Sequence, residues 1–155
     1  MPDAAALTAS DIHRLVAEQI PFARHLGLSL EEASPSQVRV LLPASDGLRN
    51  HVGGLHAAAL YAAAETAALS LAYLLLPTTG VSCTSKAVEL RFRKPARGDV
   101  WAHAQLGSGT DVGAAALLAR LTAEGKLDVA VLVAIVDSSG ERLAEGALTV
   151  NLRRL

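Results

Sequence analysis

Between Ala57 and Leu76 the chain carries one side chain expected to be charged at neutral pH, Glu65, in a run built mostly from Ala and Leu. Such a run has two homes, a bilayer or a protein interior. It is long enough to span a membrane. Against that, Glu65 sits near its middle, Lys and Arg do not flank it, and its many alanines lower its hydrophobicity. A helix apolar on all sides must otherwise be enclosed by other elements of its own protein. The carboxylate inside it costs free energy unless it is paired or its pKa rises, and perturbed carboxylates cluster at active sites.

The rest of the chain supplies an enclosure. Thr8 to Ile12 opens a short amphipathic helix with Ser10 or Asp11 as N-cap, ending before Pro21. Leu28–Glu32 and Gln37–Leu42 read as a hairpin about Ser34-Pro35-Ser36, and Pro43 to Asn50 as a loop turning at Asp46-Gly47. The long helix starts near His56 and stops before Pro77. Then the period changes to two. Val88, Leu90 and Phe92 alternate with Glu89, Arg91 and Arg93 in a strand over Lys86–Lys94, and Pro95 to Gly98 turns the chain. Val100 to Leu106 is a second such strand. Asp111–Glu124 reads as a helix capped near Gly125, Leu127 to Ile135 as a strand ended by Asp137–Gly140, and Leu143 to Leu152 completes the sheet. Short connections favour antiparallel pairing. The expected architecture is α+β: a twisted antiparallel sheet wrapped around one long apolar helix, in a single domain over residues 1–155 with 1–25 as N-terminal helix and lead-in.

Composition narrows the function. The chain is 51% hydrophobic but only 3% aromatic, so its core is built from Ala, Leu and Val. Fourteen basic against 15 acidic residues leave no electrostatic footprint for nucleic acid. One cysteine, Cys83, excludes an internal disulfide and suits a reducing cytoplasm. The N-terminus M-P-D-A-A-A-L-T lacks the positive segment of a signal peptide. The expectation is a cytoplasmic protein that binds neither nucleic acid nor membrane.

Three blocks carry a resemblance. Asn50 to Glu65, N-H-V-G-G-L-H-A-A-A-L-Y-A-A-A-E, resembles the N-x-x-G-x-x-H-G-G…D/E pattern of the hotdog-fold acyl-CoA thioesterases related to the phenylacetate-pathway enzymes. Val88–Val100, V-E-L-R-F-R-K-P-A-R-G-D-V, is similar to that family's strand–Pro–Gly–strand segment, and Val136–Gly146 to its closing segment. The helix at Asp111–Glu124 and Lys86 look closer to a hotdog sub-branch without an established activity. One departure stands out: the usual His-Gly-Gly is His56-Ala57-Ala58, which keeps the backbone N–H groups but adds methyls where substrate approaches. The resemblance implies the hotdog fold and a dimer, or a pair of dimers, with active sites at the interface.

Thioester hydrolysis needs a polarised carbonyl and an activated water or a carboxylate nucleophile. The amides following Gly53-Gly54 lie at the N-terminus of the long helix, where free N–H groups and the helix dipole favour negative charge, so Gly53, Gly54, Leu55 and Ala57 are oxyanion candidates. Glu65 is the general base or nucleophile, with a pKa raised by its apolar surroundings. Asn50 orients the water or the loop. His56 either joins the chemistry or merely caps the loop. Thr66 and Ser85 are candidate substrate contacts. Nine residues of helix place His56 and Glu65 on opposite sides, roughly 13 Å apart along the axis, so a site using both requires two chains.

Lys86, in phase with Val88, Leu90 and Phe92, is expected to face inward unless it lies just outside the strand; facing inward it either pairs with Glu65 or meets coenzyme A. Arg91, Arg93, Lys94 and Arg97 form a basic group suited to the phosphates of coenzyme A or, more plainly, a solvated charged face. Cys83 has no neighbouring base and reads as a small buried residue. His51 reads as a loop residue, and His13, His25 and His103 are scattered without metal-ligand spacing, so no metal is expected. The leading reading is metal-free hydrolysis of an acyl-CoA or similar thioester, with coenzyme A present only as part of the substrate. The alternative is a non-catalytic acyl-CoA- or acyl-chain-binding hotdog protein, in which Ala57-Ala58 and a Lys86–Glu65 pair have quenched the chemistry. A hotdog hydratase lacks a matching Asp/His pair.

Overall fold

The computed structural model describes residues 7–76, 80–107 and 113–155. The Thr8 hydroxyl accepts from the Asp11 N–H while the Asp11 carboxylate accepts from the Thr8 N–H, a reciprocal cap that opens helix α1 (Ala9–Arg14). The cap is therefore Thr8 rather than Ser10 or Asp11. A π turn (Leu15–Gln19) follows. Ile20, preceding a proline, is extended, and Pro21 then opens α2 (Pro21–Leu26) as its first residue, where no N–H is required. The proline expected to end the helical segment begins its second half.

Strands β1 (Ser29–Ala33) and β2 (Val38–Leu42) form the expected hairpin, and a short 3-10 turn occupies Asp46–Leu48. Helix α3 (Ala57–Leu75) ends where Leu76 turns extended; Pro77 lies outside the described residues. Strand β3 (Val81–Phe92) begins earlier than the alternation at Lys86 suggests. Next come β4 (Val100–Leu106), helix α4 (Ala114–Glu124), β5 (Lys126–Asp137) and β6 (Arg142–Arg154). The expected start of α4 at Asp111 is outside the described residues. Gly125, at φ 74°, ends α4 in the left-handed conformation that glycine adopts without strain.

The six strands make one antiparallel sheet in the order β1-β2-β4-β5-β6-β3. Its inner face closes on α3 with Val38, Val40, Leu42, Ala102, Ala104, Val131, Val133, Ile135, Leu148 and Val150, all buried. Ala63, Ala64, Ala67, Ala68 and Leu71 of α3 have no exposed surface. Alanines let the sheet approach the helix backbone, which is how a core nearly free of aromatics still packs. The helix long enough to cross a membrane is thus the core of the wrap.

Strand order departs from the expected run of tight turns. β3 pairs with β6 at one edge, whereas β4 pairs with β2 and β5 in the middle, so Pro95–Gly98 is a crossover and not a hairpin turn. Alternation reports which face a side chain takes; it carries no information about which strand lies alongside. At the free edge, β3 is open along its length. Val88 is 43% and Phe92 50% exposed, although both belong to the inner face.

Candidate functional site

The loop before α3 is organised by Asn50. Its Oδ1 accepts from the N–H groups of Val52 and Gly54, both at 3.1 Å, and its Nδ2 donates to the Leu55 carbonyl at 3.4 Å. Gly53 sits at φ 81°, which turns the chain back so that the Asn50 N–H reaches the Gly54 carbonyl at 2.8 Å. A Cβ on Gly54 would stand 3.2 Å from the Ala96 carbonyl oxygen. That close approach lets the Leu55 N–H donate to the same oxygen at 2.7 Å, which ties the loop to the crossover after β3. The Arg49 guanidinium adds a strut, donating to the Gly53 carbonyl at 2.9 Å and pairing with Asp46 at 3.1 Å.

His56 is the N-cap of α3, and its Nδ1 accepts from the Ala58 N–H at 3.0 Å. An imidazole that accepts at Nδ1 carries its proton on Nε2, so a donor faces outward from this exposed residue. The expected anion-binding amides are mostly spent within the protein. Gly53 N–H goes to the Asn50 carbonyl, Gly54 to the Asn50 side chain, Leu55 to Ala96, His56 to Leu48, and Ala58 to His56. From Val52 to Ala59, the Ala57 N–H alone takes no partner among the described residues. Ala57 lines a hollow of about 300 Å³ with Asn50, Leu55, Phe92, Arg93 and Lys94.

Glu65 belongs to a different part of the protomer. It is half-buried on α3, and the Tyr61 hydroxyl donates to its Oε1 at 3.3 Å. Thr66 beside it is also half-buried. Ser85, on the inner face of β3, has a buried Oγ without a hydrogen-bond partner. Burial raises the Tyr61 phenol above its ordinary 10.0; the Glu65 charge and hydrogen bond raise it further, and Ser85 opposes them. The structure thus brings Glu65, Ser85 and Tyr61 together, and separately Asn50, Leu55 and Ala57. It does not join the two groups within one chain.

Lys86 is a correction. The pairing of β3 with β6 is irregular between Ser85 and Ala87, and this bulge takes Lys86 out of phase with Val88, Leu90 and Phe92. It is exposed and pairs with Asp128, which also accepts from Asn151, so it is not the partner of Glu65. Arg91 pairs with Glu89, Arg93 with Glu145 and Lys94 with Glu141, while the Arg97 side chain is exposed. Arg91 and Arg93 also line a groove of about 1140 Å³ on the outer face of the sheet with Arg39, Trp101, His103 and Leu132. None of Asn50, Gly53, Gly54, Leu55, His56, Ala57, Glu65, Thr66 and Ser85 lines that groove. Cys83 is buried, and burial pushes its thiol up to about 12, which leaves too little thiolate for a nucleophile.

Sequence reasoning passed over Tyr61 and Arg49. Tyr61 had a readable signal, since it precedes Glu65 by one helical turn on the same face. For Arg49 only the i, i+3 pair with Asp46 was readable; its contacts to the Gly53 and Arg97 carbonyls exist only in the folded loop.

Residues 8–152 match the family model described as "Domain of unknown function (DUF4442)". No curated protein matches the chain. Protein PA5026 of Pseudomonas aeruginosa, of unknown function and described as a probable thioesterase, is 29% identical with a TM-score of 0.84, over 98% of this chain and 99% of that one. Thioesterase HI1161 of Haemophilus influenzae is 16% identical with a TM-score of 0.75, over 100% of this chain and 96% of that one. A phenylacetic acid degradation-related protein of Ralstonia eutropha, a putative thioesterase by its own description, is 19% identical with a TM-score of 0.68, over 90% and 98%. The architecture shared with them is the hotdog fold expected from the sequence.

Proposed function

The chain belongs to the DUF4442 family, and we propose that it hydrolyses a thioester of the acyl-CoA type at a site completed by two copies of the chain. The observation that carries the reading is the division of the polar groups: one open amide at the helix N-terminus, Ala57, and one half-buried carboxylate, Glu65, eight residues and about 12 Å further along the same helix. The Ala57 N–H and the dipole of α3 receive the charge that develops on the thioester oxygen. The His56 Nε2–H is a second donor within the same turn. Glu65 of the other chain serves as general base toward water or attacks the acyl carbon itself. Asn50, Gly53, Gly54 and Leu55 act by holding the loop, and Thr66 and Ser85 by contacting the substrate. The chemistry draws on protein groups alone.

The open edge supports the two-chain site. β3 exposes Val88 and Phe92 beside an unpaired ladder, and pairing it with β3 of a second copy covers both. Either a dimer or a pair of dimers satisfies this. Of the basic group, Arg93, Lys94 and Arg97 lie at or near the hollow and suit the phosphates of coenzyme A. The surface ion pairs that hold the first two are worth about 0–1 kcal/mol and exchange readily for a phosphate. Lys86 and Arg91 belong to the outer face. The buried single thiol fits a cytoplasmic protein. The second reading, a non-catalytic acyl-CoA-binding protein, draws on the methyls of Ala57 and Ala58, but the Lys86–Glu65 pair it called for is replaced by Lys86–Asp128.

The test is thiol release from short, long and aryl acyl-CoAs by wild type and Glu65→Gln. The expected result is turnover that falls at least about a hundredfold in the variant. No release from any substrate, with measurable acyl-CoA binding, would overturn hydrolysis in favour of the binding protein.

A further inference from the structure

Between Ala59 and Leu75 the wrap buries every residue of α3 except Tyr61, Glu65, Thr66, Leu69 and Tyr73. Four of the five follow one another at intervals of four, a single stripe left half-open beneath the free edge of the sheet. Two of its members touch. The Tyr61 hydroxyl donates to Glu65 Oε1 at 3.3 Å, and the Ser85 hydroxyl on the facing strand is buried without a partner. The remaining inner-face neighbours of Ser85 along β3 are Cys83, Val88, Leu90 and Phe92, none of which carries a charge.

We propose that Tyr61 is the positioning residue for Glu65: its phenol, one helical turn before the carboxylate, fixes Oε1 and leaves Oε2 to face the water or acyl carbon on the side of Ser85. The chemical purpose rests on the thioesterase reading; the coupling of Tyr61 to Glu65 does not. A glutamate on a half-open helix face has three side-chain torsions and several rotamers of similar energy. Helical side chains lean toward the N-terminus, so Glu65 leans toward Tyr61, and an i, i+4 hydrogen bond selects one rotamer from the set. Tyr61 acts by donating, because burial and the neighbouring carboxylate keep its phenol protonated well past neutrality. It is therefore suited to hold a carboxylate and unsuited to accept a proton. Ser85 completes the arrangement. A buried hydroxyl without a partner is costly, and a water or a substrate oxygen that bridges Ser85 to the Tyr61–Glu65 pair relieves that cost.

Two measurements test the proposal. In the thiol-release assay, Tyr61→Phe keeps the ring and removes the donor; kcat is expected to fall about tenfold with KM within about twofold, since the lost interaction orients a reacting group and does not bind substrate. Full kcat, or a change confined to KM, would overturn the proposal. Independently of any activity, the ring Cζ signal of Tyr61 is titrated in ¹³C-tyrosine-labelled protein while the fold persists, with Tyr73 as the internal reference. Glu65→Gln is expected to lower the Tyr61 pKa and Ser85→Ala to raise it. A Tyr61 titration unmoved by Glu65→Gln would overturn the coupling even if Tyr61→Phe fails to fold. If wild type turns over no thioester but the titration moves as expected, the thioesterase reading fails and the Tyr61–Glu65 coupling stands.

Discussion

At the scale of single residues, position 146 is where the backbone leaves least room. Gly146 of β6 faces Leu90 of β3, and a Cβ built on it would overlap the Glu89 carbonyl. No flexible side-chain end is available to give way; a strand must move. Gly146→Ala is therefore expected to destabilise the fold by about 1–3 kcal/mol, whereas Gly47→Ala, which meets nothing within 4 Å, leaves the urea midpoint nearly unchanged. Equal midpoints for the two variants would refute the close approach. Residues also mark how far the sequence could be read. Glu65 and Asn50 were legible because each is chemically conspicuous in its surroundings. Lys86 was misread because one irregular pairing reverses the face of a side chain, and alternation alone does not reveal a bulge. The exhaustion of the Gly53, Gly54 and Leu55 amides was invisible for a related reason: their acceptors, the Asn50 carbonyl, the Asn50 side chain and the Ala96 carbonyl, are set by loop closure.

Among the elements, α3 is the most constrained. Its alanines are as large as the wrap allows: Ala67 and Ala68 are fully buried. Ala67→Leu is expected to cost about 1–3 kcal/mol by over-packing, and Leu69→Ala, on the half-open stripe, less than about 1.5 kcal/mol. Thermal or urea unfolding of both variants checks this, and a reversed order would mean that the stripe and not the buried face carries the packing. The elements were largely readable from periodicity, since the change from a helical period to a period of two after Leu76 separates α3 from every later strand. Their order in the sheet was not. The crossover at Pro95–Gly98 looks like any tight turn in sequence, and only the placement of β3 against β6 shows otherwise.

For the whole molecule, stability should form a plateau bounded by two sets of groups. Hydrogen bonds from Lys86, Ser139 and Arg142 hold Asp128, Asp137 and Glu145, respectively, below their ordinary values of 3.8, 3.8 and 4.5. Their contributions are complete above those values and are lost as pH falls toward the lower pKa of the folded state. On the alkaline side burial raises Cys83 from 9.0 to about 12, and Tyr61 and Tyr73 above 10.0. The unfolded chain then loses these protons first, so stability declines as pH rises from about 9. Burial, with the nearby Arg39 charge, holds His103 below its ordinary 6.5, so the unfolded chain takes up that proton first and stability also declines below about pH 6.5. Urea midpoints measured from about pH 3 to pH 11 are expected to be flat between about pH 7 and pH 9 and to fall on both sides, with a smaller alkaline fall in Cys83→Ala. An alkaline limb unchanged in that variant would sink the assignment to Cys83.

The same thiol has a practical consequence. The chain's single sulfhydryl is sealed beneath the sheet and stays protonated through the working range of disulfide-type thiol reagents. In the native protein such a reagent should register only sulfhydryl groups that come from elsewhere, so the colour it develops during turnover counts liberated leaving groups without a protein blank. A cysteine placed at exposed Val88 would be the one modifiable position in the folded chain, and an oxidative cross-link there would report directly whether two β3 edges meet.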